Sequence, residues 1–282
     1  MSDFNHKFTL PFIKMHGLGN DFLIIDCRQN DYKFSNSQIK LLGNRNLGVG
    51  FDQFVLMYNS DKENIHTFLK FWNSDGSSSS TCGNATRCVA DIIMKETGLD
   101  KINIATSVEI IKCIKLNNGQ ILTNLGIPKT FWRDIPLSEK CDTSKLPIDG
   151  NPIATSLGNP HCTFFVENLN QISISKIGQE TEINPLFPQK TNVQIAEVID
   201  DNKIKVKVWE RGSGITMASG SSACAVAYSA KRLNLTKDTV QIILDGGIVN
   251  VYCKEDGVWI SGDIKYVFSG KISSLFFDNW NN

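Results

Sequence analysis

The chain has 282 residues, of which 41% are hydrophobic and 21% are charged, and its 29 basic residues balance 29 acidic ones. This length exceeds what one small hydrophobic core needs and fits two domains of ordinary size. The zero net charge argues against nucleic acid or an anionic membrane as an obligate partner, because either would require a basic face.

The sequence also bears on where the protein works. It contains no apolar run long enough to span a bilayer, and its start, Met1 to Lys7, lacks the apolar core of a secretory signal. Eight cysteines without an export signal are typical of reduced thiols rather than of a disulfide framework. We therefore expect a cytoplasmic protein with no membrane partner.

The N-terminal half begins with short strands, for example at residues 22–25. A helix is predicted directly after Cys82, because apolar residues recur there at helical spacing and Gly98 suits a helix end. Asn118-Gly119 lies between two apolar runs and predicts a β-hairpin. Charges, prolines and a glycine between Pro136 and Pro152 predict a linker, at 136–149, between a domain at 9–135 and a second domain at 150–270.

The C-terminal half has the same order of elements. Residues 161–166 predict an apolar strand, and residues 203–208 alternate lysine with apolar residues, as a strand with one wet face does. A helix is predicted directly after Ser219, and Asp245-Gly246-Gly247 predicts a second hairpin. The tail, residues 271–282, is expected to pack back on the N-terminal domain.

The two halves share short motifs in the same order. Leu18-Gly19-Asn20 recurs as Leu157-Gly158-Asn159, and the amide residues Gln53 and Asn192 follow the two copies at the same distance. Cys82-Gly83-Asn84 corresponds in turn to Ser219-Gly220-Ser221, and each motif leads into a helix. Agreement of three landmarks predicts two similar domains.

The start of the first helix is a candidate reactive site. A loop rich in glycine and serine precedes Cys82, so backbone N–H groups there are free to meet an anion. The helix dipole at the same place stabilises a thiolate. A free cysteine is more often a small buried apolar residue, so on placement alone both interpretations stay open.

The second half offers Glu210-Arg211 at a strand end, beside a glycine-rich loop, and His161 before an apolar strand. Arg211 could hold a carboxylate through its planar guanidinium, although a surface ion pair is the commoner arrangement. A lone histidine is more often a core residue than a catalyst. No C-x-x-C pair, H-E-x-x-H motif or complete dinucleotide or phosphate loop is present, so no metal or cofactor is expected.

Several long motifs together resemble those of the diaminopimelate epimerase family, in order from about residue 12 to about residue 272. They are Met15-His16-Gly17-Leu18-Gly19-Asn20-Asp21-Phe22, Gly50-Phe51-Asp52-Gln53, Asn73-Ser74-Asp75-Gly76-Ser77, Cys82-Gly83-Asn84-Ala85-Thr86-Arg87-Cys88, Gly158-Asn159-Pro160-His161-Cys162 and Glu210-Arg211-Gly212-Ser213-Gly214.

The resemblance implies an α/β (α+β) fold of two pseudo-symmetric domains, each a mixed or antiparallel sheet wrapped around a central helix, with the active site in the cleft between them. It implies a homodimer that needs no cofactor and epimerises LL-diaminopimelate to the meso form by two-base proton transfer at the α-carbon. Cys82 and Ser219 match the two catalytic positions, His161 matches the residue that tunes a thiol, and His161 and Glu210 are the supporting catalytic candidates. The matching substrate-binding positions are Asn20, Gln53, Asn73, Gly83, Asn84, Asn159, Asn192, Glu210, Arg211, Gly220 and Ser221.

The chain departs from the family at a catalytic position. Ser219 stands where the family has its second catalytic cysteine, and Ile215 stands where many members have a glutamate. A serine hydroxyl is a far weaker acid than a thiol, so we expect impaired epimerisation. The serine is either a deliberate replacement of cysteine or the natural residue, and the preservation of the other motifs favours the first explanation.

Two alternative functions stay open. One is a related cofactor-independent amino-acid racemase or dehydratase, acting for example on proline-like substrates, since single-thiol relatives can eliminate rather than invert. The other is a non-catalytic amino-acid binding protein that keeps the helix starts but has lost a thiol.

Overall fold

A computed structural model of the chain describes residues 9–80 and 82–278. The chain divides into two compact units, Met1–Lys115 with Ile264–Asn282, and Leu116–Asp263. Within the described ranges no helix is long and apolar enough to cross a membrane.

Strands make up most of both units. In chain order they are β1 (Thr9–Gly17), β2 (Asn20–Asp26), β3 (Gln53–Tyr58), β4 (Thr67–Asn73), β5 (Ser78–Ser79), β6 (Lys101–Ala105), β7 (Ile110–Lys115), β8 (Ile121–Asn124), β9 (Ile153–Ser156), β10 (Pro160–Phe165), β11 (Asn192–Asp200), β12 (Lys203–Glu210), β13 (Gly214–Thr216), β14 (Thr239–Leu244), β15 (Gly247–Lys254), β16 (Gly257–Gly262) and β17 (Ile264–Ser273). The helices are α1 (Asn36–Gly43), α2 (Gly83–Thr97), α3 (Ile174–Glu182), α4 (Gly220–Arg232) and α5 (Leu275–Asp278), with a short 3-10 turn at Leu169–Gln171.

The first unit is a mixed sheet in the order β17-β1-β2-β3-β4-β6-β7, with β2–β3 and β4–β6 parallel and the other pairs antiparallel. Helix α2 packs against β1, β2, β6, β7 and β17. Every α2 residue from Asn84 to Ala90 is buried, which a helix enclosed by a sheet requires.

The second unit repeats this plan. Its sheet runs β9-β10-β11-β12-β14-β15-β16-β8, with β10–β11 and β12–β14 parallel and the other pairs antiparallel. Helix α4 packs against the strands of this sheet as α2 does in the first unit. The fold is therefore the expected α/β type, with two similar units that each hold a central helix.

The register of the parallel pairs matches the repeat found in the sequence. Phe22 of β2 lies opposite Gln53 of β3, and His161 of β10 lies opposite Asn192 of β11. Phe22 and His161 each lie two residues after the repeated asparagine, Asn20 or Asn159. Their partners, Gln53 and Asn192, are the repeated amide residues. Equivalent residues of the two halves thus occupy equivalent points of the two sheets.

One predicted hairpin forms and the other does not. Strands β14 and β15 pair across Asp245 and Gly246, as the sequence predicts. A turn also forms at Asn118-Gly119, where the Gly119 N–H donates to the Leu116 carbonyl oxygen over 2.8 Å. The hairpin prediction is nevertheless wrong, because β7 pairs with β6 whereas β8 pairs with β16 in the other unit's sheet. Tertiary pairing decides the partner of a strand, and the turn alone does not.

The segment 136–149, which we expected to be a linker, belongs to the second unit. Leu137 and Leu146 are 5% and 0% exposed and belong to the same core cluster as Cys162 and Phe164. The charged residues and prolines dominate the composition of the segment, so the sequence does not indicate that its leucines are buried. The boundary between the units lies instead at Lys115 and Leu116.

The part of the tail that can be described packs on the first unit. Phe276 and Phe277 contact a core cluster that includes Leu10, Leu23 and Phe54. Residues 279–282 of the tail lie outside the described part of the chain.

Candidate active site

The first helix start is formed as the sequence predicts. Cys82 is the N-cap of α2, and the Ala85 N–H donates to its Sγ over 3.5 Å. The side chain is half-buried. A thiolate at this position is stabilised by an N–H donor and by the positive end of the helix dipole.

Asn20 and Asn84 meet beside this thiol. The Asn84 amide nitrogen lies 3.3 Å from Asn20 Oδ1, and the Cys82 thiol lies 3.9 Å from the same oxygen. Buried Arg87 donates to Asn84 Oδ1 over 2.5 Å, which turns the Asn84 amide nitrogen toward Asn20. The structure therefore brings together four predicted site residues: Asn20, Cys82, Gly83 and Asn84.

Asp52 fixes the direction of the Asn20 amide, and sequence reasoning gave it no role. Asn20 Nδ2 donates to Asp52 Oδ2 over 3.0 Å, so that Asn20 Oδ1 faces Cys82 and Asn84. Asp52 is held in turn by Arg45 at 2.9 Å. The place of Asp52 directly before Gln53, within a matched motif, was the available signal.

Gln53 and Asn73 form a second pair in the first unit. They lie opposite each other on β3 and β4, and Gln53 Nε2 donates to Asn73 Oδ1 over 3.2 Å. Asn73 Nδ2 donates to Ser77 Oγ over 3.0 Å, which ties the pair to the loop before α2. Both side chains are half-buried.

The second helix start, in the other unit, has Ser219 as its N-cap. Ser219 is 5% exposed, and within the described α4 helix its hydroxyl accepts no capping hydrogen bond. Gly220 and Ser221 follow as the first two helical residues and are half-buried. The backbone arrangement thus matches that of α2, with a hydroxyl in place of the thiol.

His161 lies inside the second unit, fully buried. Its Nε2 lies 2.9 Å from Asn159 Oδ1 and its Nδ1 lies 3.0 Å from Gln194 Nε2. Burial, together with the smaller effect of the Arg211 charge, lowers the pKa of His161 to about 3, so the ring is neutral at ordinary pH. Its role in tuning a thiol stays a prediction.

Asn192 links this group to the polar loop after β12. Its Oδ1 accepts from the Arg211 backbone N–H over 3.0 Å, and its Nδ2 donates to the Pro160 carbonyl oxygen over 3.0 Å. The Arg211 side chain is exposed and donates to the Gln189 carbonyl oxygen over 2.9 Å. Glu210 accepts from the Thr216 hydroxyl over 2.7 Å.

Glu182 holds the same loop and was missed by the sequence analysis. Its carboxylate accepts from the Trp209 indole N–H at 2.7 Å and from the Gly212 N–H at 3.1 Å. A single acidic residue at the end of α3 gives no signal in the sequence, because the loop it serves lies far along the chain.

The other cysteines differ from Cys82 in their surroundings. Burial raises the pKa of Cys113 to about 12, raises that of Cys27 and Cys253 to about 11, and raises those of Cys88 and Cys162 as well. These thiols stay protonated at ordinary pH and act as small apolar residues. Among residues 9–80 and 82–278, no group of three or more His, Cys, Asp or Glu side chains is placed to hold a metal ion.

The sequence matches one family over most of its length. A family model described as diaminopimelate epimerase matches residues 12–130 and 153–267. A diaminopimelate epimerase from Acidiphilium cryptum (strain JF-5) is 38% identical over 270 residues, which covers 94% of this chain and 96% of the relative. One from Pelagibacter ubique (strain HTCC1062) is 45% identical over 238 residues, covering 81% and 86% of the two chains.

Solved structures of the same fold are more distant in sequence. A phenazine biosynthesis protein of the PhzF family from Bacillus anthracis matches with a TM-score of 0.67 at 15% identity, over 94% of this chain and 99% of the other. A hydroxyproline epimerase from Agrobacterium vitis matches with a TM-score of 0.63 at 11% identity, over 96% and 94%. At these identities the likeness concerns the fold alone.

Proposed function

The chain belongs to the diaminopimelate epimerase family, and on this premise we propose that it acts on diaminopimelate, inverting one α-carbon of the LL form to give the meso form. The observation that carries the proposal is the environment of Cys82. A half-buried thiol caps a helix whose first turn also presents Asn84, with the Asn20 amide held against both. Its relatives are named diaminopimelate epimerase, and we place the chain in the pathway to lysine.

The reaction moves one proton at a time. The Cys82 thiolate removes the α-proton and becomes a thiol, while the electron pair left on carbon delocalises into the substrate carboxylate. Backbone N–H groups at a helix start, including those of Gly83 and Asn84, stabilise the charge that develops there. Inversion is completed when a second acid delivers a proton to the opposite face of the carbon. The proposal uses neither pyridoxal phosphate nor a metal.

Ser219 occupies the position of that second acid and base. A serine hydroxyl exchanges protons with carbon far less readily than a thiol does, and α4 offers it no capping bond in the described structure. We therefore propose that the chain binds diaminopimelate but epimerises it slowly. With Cys82 as its competent base, it can remove an α-proton and return another to the same face.

We also propose that the protein is a cytoplasmic homodimer. The outer strand β17 pairs with β1 and carries three consecutive exposed apolar residues, Tyr266, Val267 and Phe268. Such a strand is usually covered by a partner. Light scattering should give twice the 31.4 kDa chain mass, and Val267→Lys should give the single mass. An unaltered chain of single mass contradicts the proposal.

Calorimetric titration tests the choice of substrate. We expect LL-diaminopimelate to bind at least ten times more tightly than L-proline, because Asn159, Asn192, Glu210 and Arg211 of the second unit suit a second amino-acid head group. Arg211→Met should weaken diaminopimelate binding, while Arg133→Met, on another exposed segment of the same unit, should leave it unchanged. Tighter binding of proline would instead favour a related racemase or dehydratase.

A further inference from the structure

Four buried polar side chains in the second unit are hydrogen-bonded to one another. Gln194 Nε2 lies 3.0 Å from His161 Nδ1 and 3.0 Å from Ser222 Oγ, while the Thr163 hydroxyl donates to Gln194 Oε1 over 3.0 Å. Each of the four side chains is at most 1% exposed. We call these residues, His161, Thr163, Gln194 and Ser222, the polar quartet.

The first unit has apolar residues at all four equivalent positions. Ile24 lies opposite Val55 in the β2–β3 register, as Thr163 lies opposite Gln194 in the β10–β11 register. Phe22 occupies the position of His161, and Ala85, three residues after the N-cap of α2, occupies that of Ser222. The four apolar side chains are at most 1% exposed. The first unit thus forms the same sheet and helix with apolar side chains at these positions. Packing of the second unit therefore does not require the polar quartet.

The hydrogen bonds of Gln194 have a defined direction. Its Oε1 accepts from the Thr163 hydroxyl, so its Nε2 is the donor toward both Ser222 and His161. A ring nitrogen that accepts carries no hydrogen, which places the hydrogen of the neutral His161 ring on Nε2. That N–H then donates to Asn159 Oδ1 over 2.9 Å. The Asn159 amide nitrogen is left as the group that can meet a ligand.

We propose that Gln194 is a positioning residue, which holds His161 as its Nε2–H tautomer and thereby presents the Asn159 NH₂ group to a carboxylate of the substrate. Thr163 and Ser222 serve this role by fixing the Gln194 amide. The identity of the ligand rests on the proposed function, whereas the tautomer and its control by Gln194 do not.

The tautomer is measured first, on the free protein. Nitrogen-15 NMR of histidine-labelled protein distinguishes a protonated from an unprotonated ring nitrogen, and comparison with His161→Gln assigns the signal. We expect a protonated Nε2 and an unprotonated Nδ1. An Nδ1–H ring overturns the proposal, whether or not the protein binds diaminopimelate.

Single substitutions then test the control by Gln194. Gln194→Met has nearly the same shape but no hydrogen-bonding amide, and Thr163→Val removes the donor that fixes that amide. Both should give a mixture of ring tautomers and weaken LL-diaminopimelate binding about fivefold to tenfold, the effect of losing one hydrogen bond. Thr155→Val is the matched control, since it removes a buried hydroxyl bonded to Ser229 over 3.1 Å in the same unit. It should alter neither the ring spectrum nor the affinity.

A fourfold variant separates positioning from stability. His161→Phe, Thr163→Ile, Gln194→Val and Ser222→Ala together install the residues of the first unit. We expect this protein to fold with unchanged or higher melting temperature, because replacing all partners of a buried network is close to neutral, and to lose diaminopimelate binding. Retained affinity overturns the proposal, as does an unchanged ring spectrum in Gln194→Met. If LL-diaminopimelate does not bind even the unaltered chain, the proposed function fails, while the spectra still decide whether Gln194 sets the tautomer.

Discussion

Asn20 begins β2 in the first unit and Asn159 directly precedes β10 in the second, and the two amides are held by different partners. The Asp52 carboxylate accepts from the Asn20 amide nitrogen, which directs the Asn20 oxygen to Cys82 and Asn84. His161 instead takes the Asn159 oxygen, which leaves the amide nitrogen for a ligand. Repeated residues of the same type therefore offer opposite hydrogen-bonding groups, and this difference is invisible in the repeated motif.

Replacing Asp52 by alanine should weaken diaminopimelate binding about fivefold to tenfold, because the Asn20 amide is then free to rotate. Calorimetry with LL-diaminopimelate measures the effect. Arg45→Met is the control, since it removes an ion-pair partner of Asp52 but leaves the contact with Asn20. An Asp52→Ala protein that binds as tightly as the unaltered chain would show that Asp52 does not orient Asn20.

Asp21 should make the first unit sensitive to acid. Burial raises the pKa of this carboxyl, but hydrogen bonds from Arg45 and Lys14 outweigh burial and lower the pKa to about 2, from an ordinary value of 3.8. A lowered pKa stabilises the folded state above the unfolded value, so this contribution is present above about pH 4 and is lost as the pH falls toward 2. Its size is on the order of 2 kcal/mol at neutral pH, after a discount for screening by solvent.

Urea unfolding at a series of pH values tests this expectation. The free energy of unfolding of the Asp21→Asn protein should fall less between pH 4 and pH 2 than that of the unaltered chain. Asp91→Asn should leave the slope unchanged, because Asp91 pairs with Lys95 in a helical pair whose lysine is 67% exposed. Equal slopes for Asp21→Asn and the unaltered chain would rule out the Asp21 contribution.

At the scale of elements, the sequence predicts what depends on local signals. The start of α2 at Gly83 and its end at Gly98 follow from the glycine- and serine-rich loop, the helical spacing of apolar residues and the glycine itself. The Asp245-Gly246 hairpin is equally local. The pairing partner of β8 does not follow from local signals. An Asn-Gly turn makes the chain change direction but does not decide which strand pairs with the next one. For the same reason Glu182 could not be assigned, since the Gly212 N–H that it accepts from lies 30 residues along the chain.

Gly98 ends α2 in a left-handed conformation, with φ of 72°, and a side chain there would meet no atom within 4 Å. The cost of Gly98→Ala is therefore conformational, and we expect it to lower the free energy of unfolding by about 1 kcal/mol. Gly98→Asn should cost less, because Asn234 adopts φ of 56° just after α4. Thermal or urea unfolding distinguishes the three proteins, and equal stability of the alanine variant would contradict the account.

At the scale of the whole molecule, the repeat was the most informative feature of the sequence. It predicts two units of one plan, and the registers of β2–β3 and β10–β11 confirm it. It does not predict that β8 leaves the first half of the chain for the second unit, or that β17 returns to pair with β1. A strand keeps the same alternation of apolar and polar residues whichever sheet it joins. The composition of the sequence therefore does not indicate the unit boundary at Lys115.

Cys82 and the residue at position 219 are, as proposed, the two acid–base groups of a diaminopimelate epimerase. The most direct test incubates LL-diaminopimelate in D₂O with this chain and, in parallel, with its Ser219→Cys variant, and analyses the products by NMR and mass spectrometry. We predict α-deuterated meso product from the variant and little or none from the chain itself. If neither protein exchanges the α-proton or inverts the carbon, the assignment to diaminopimelate is contradicted.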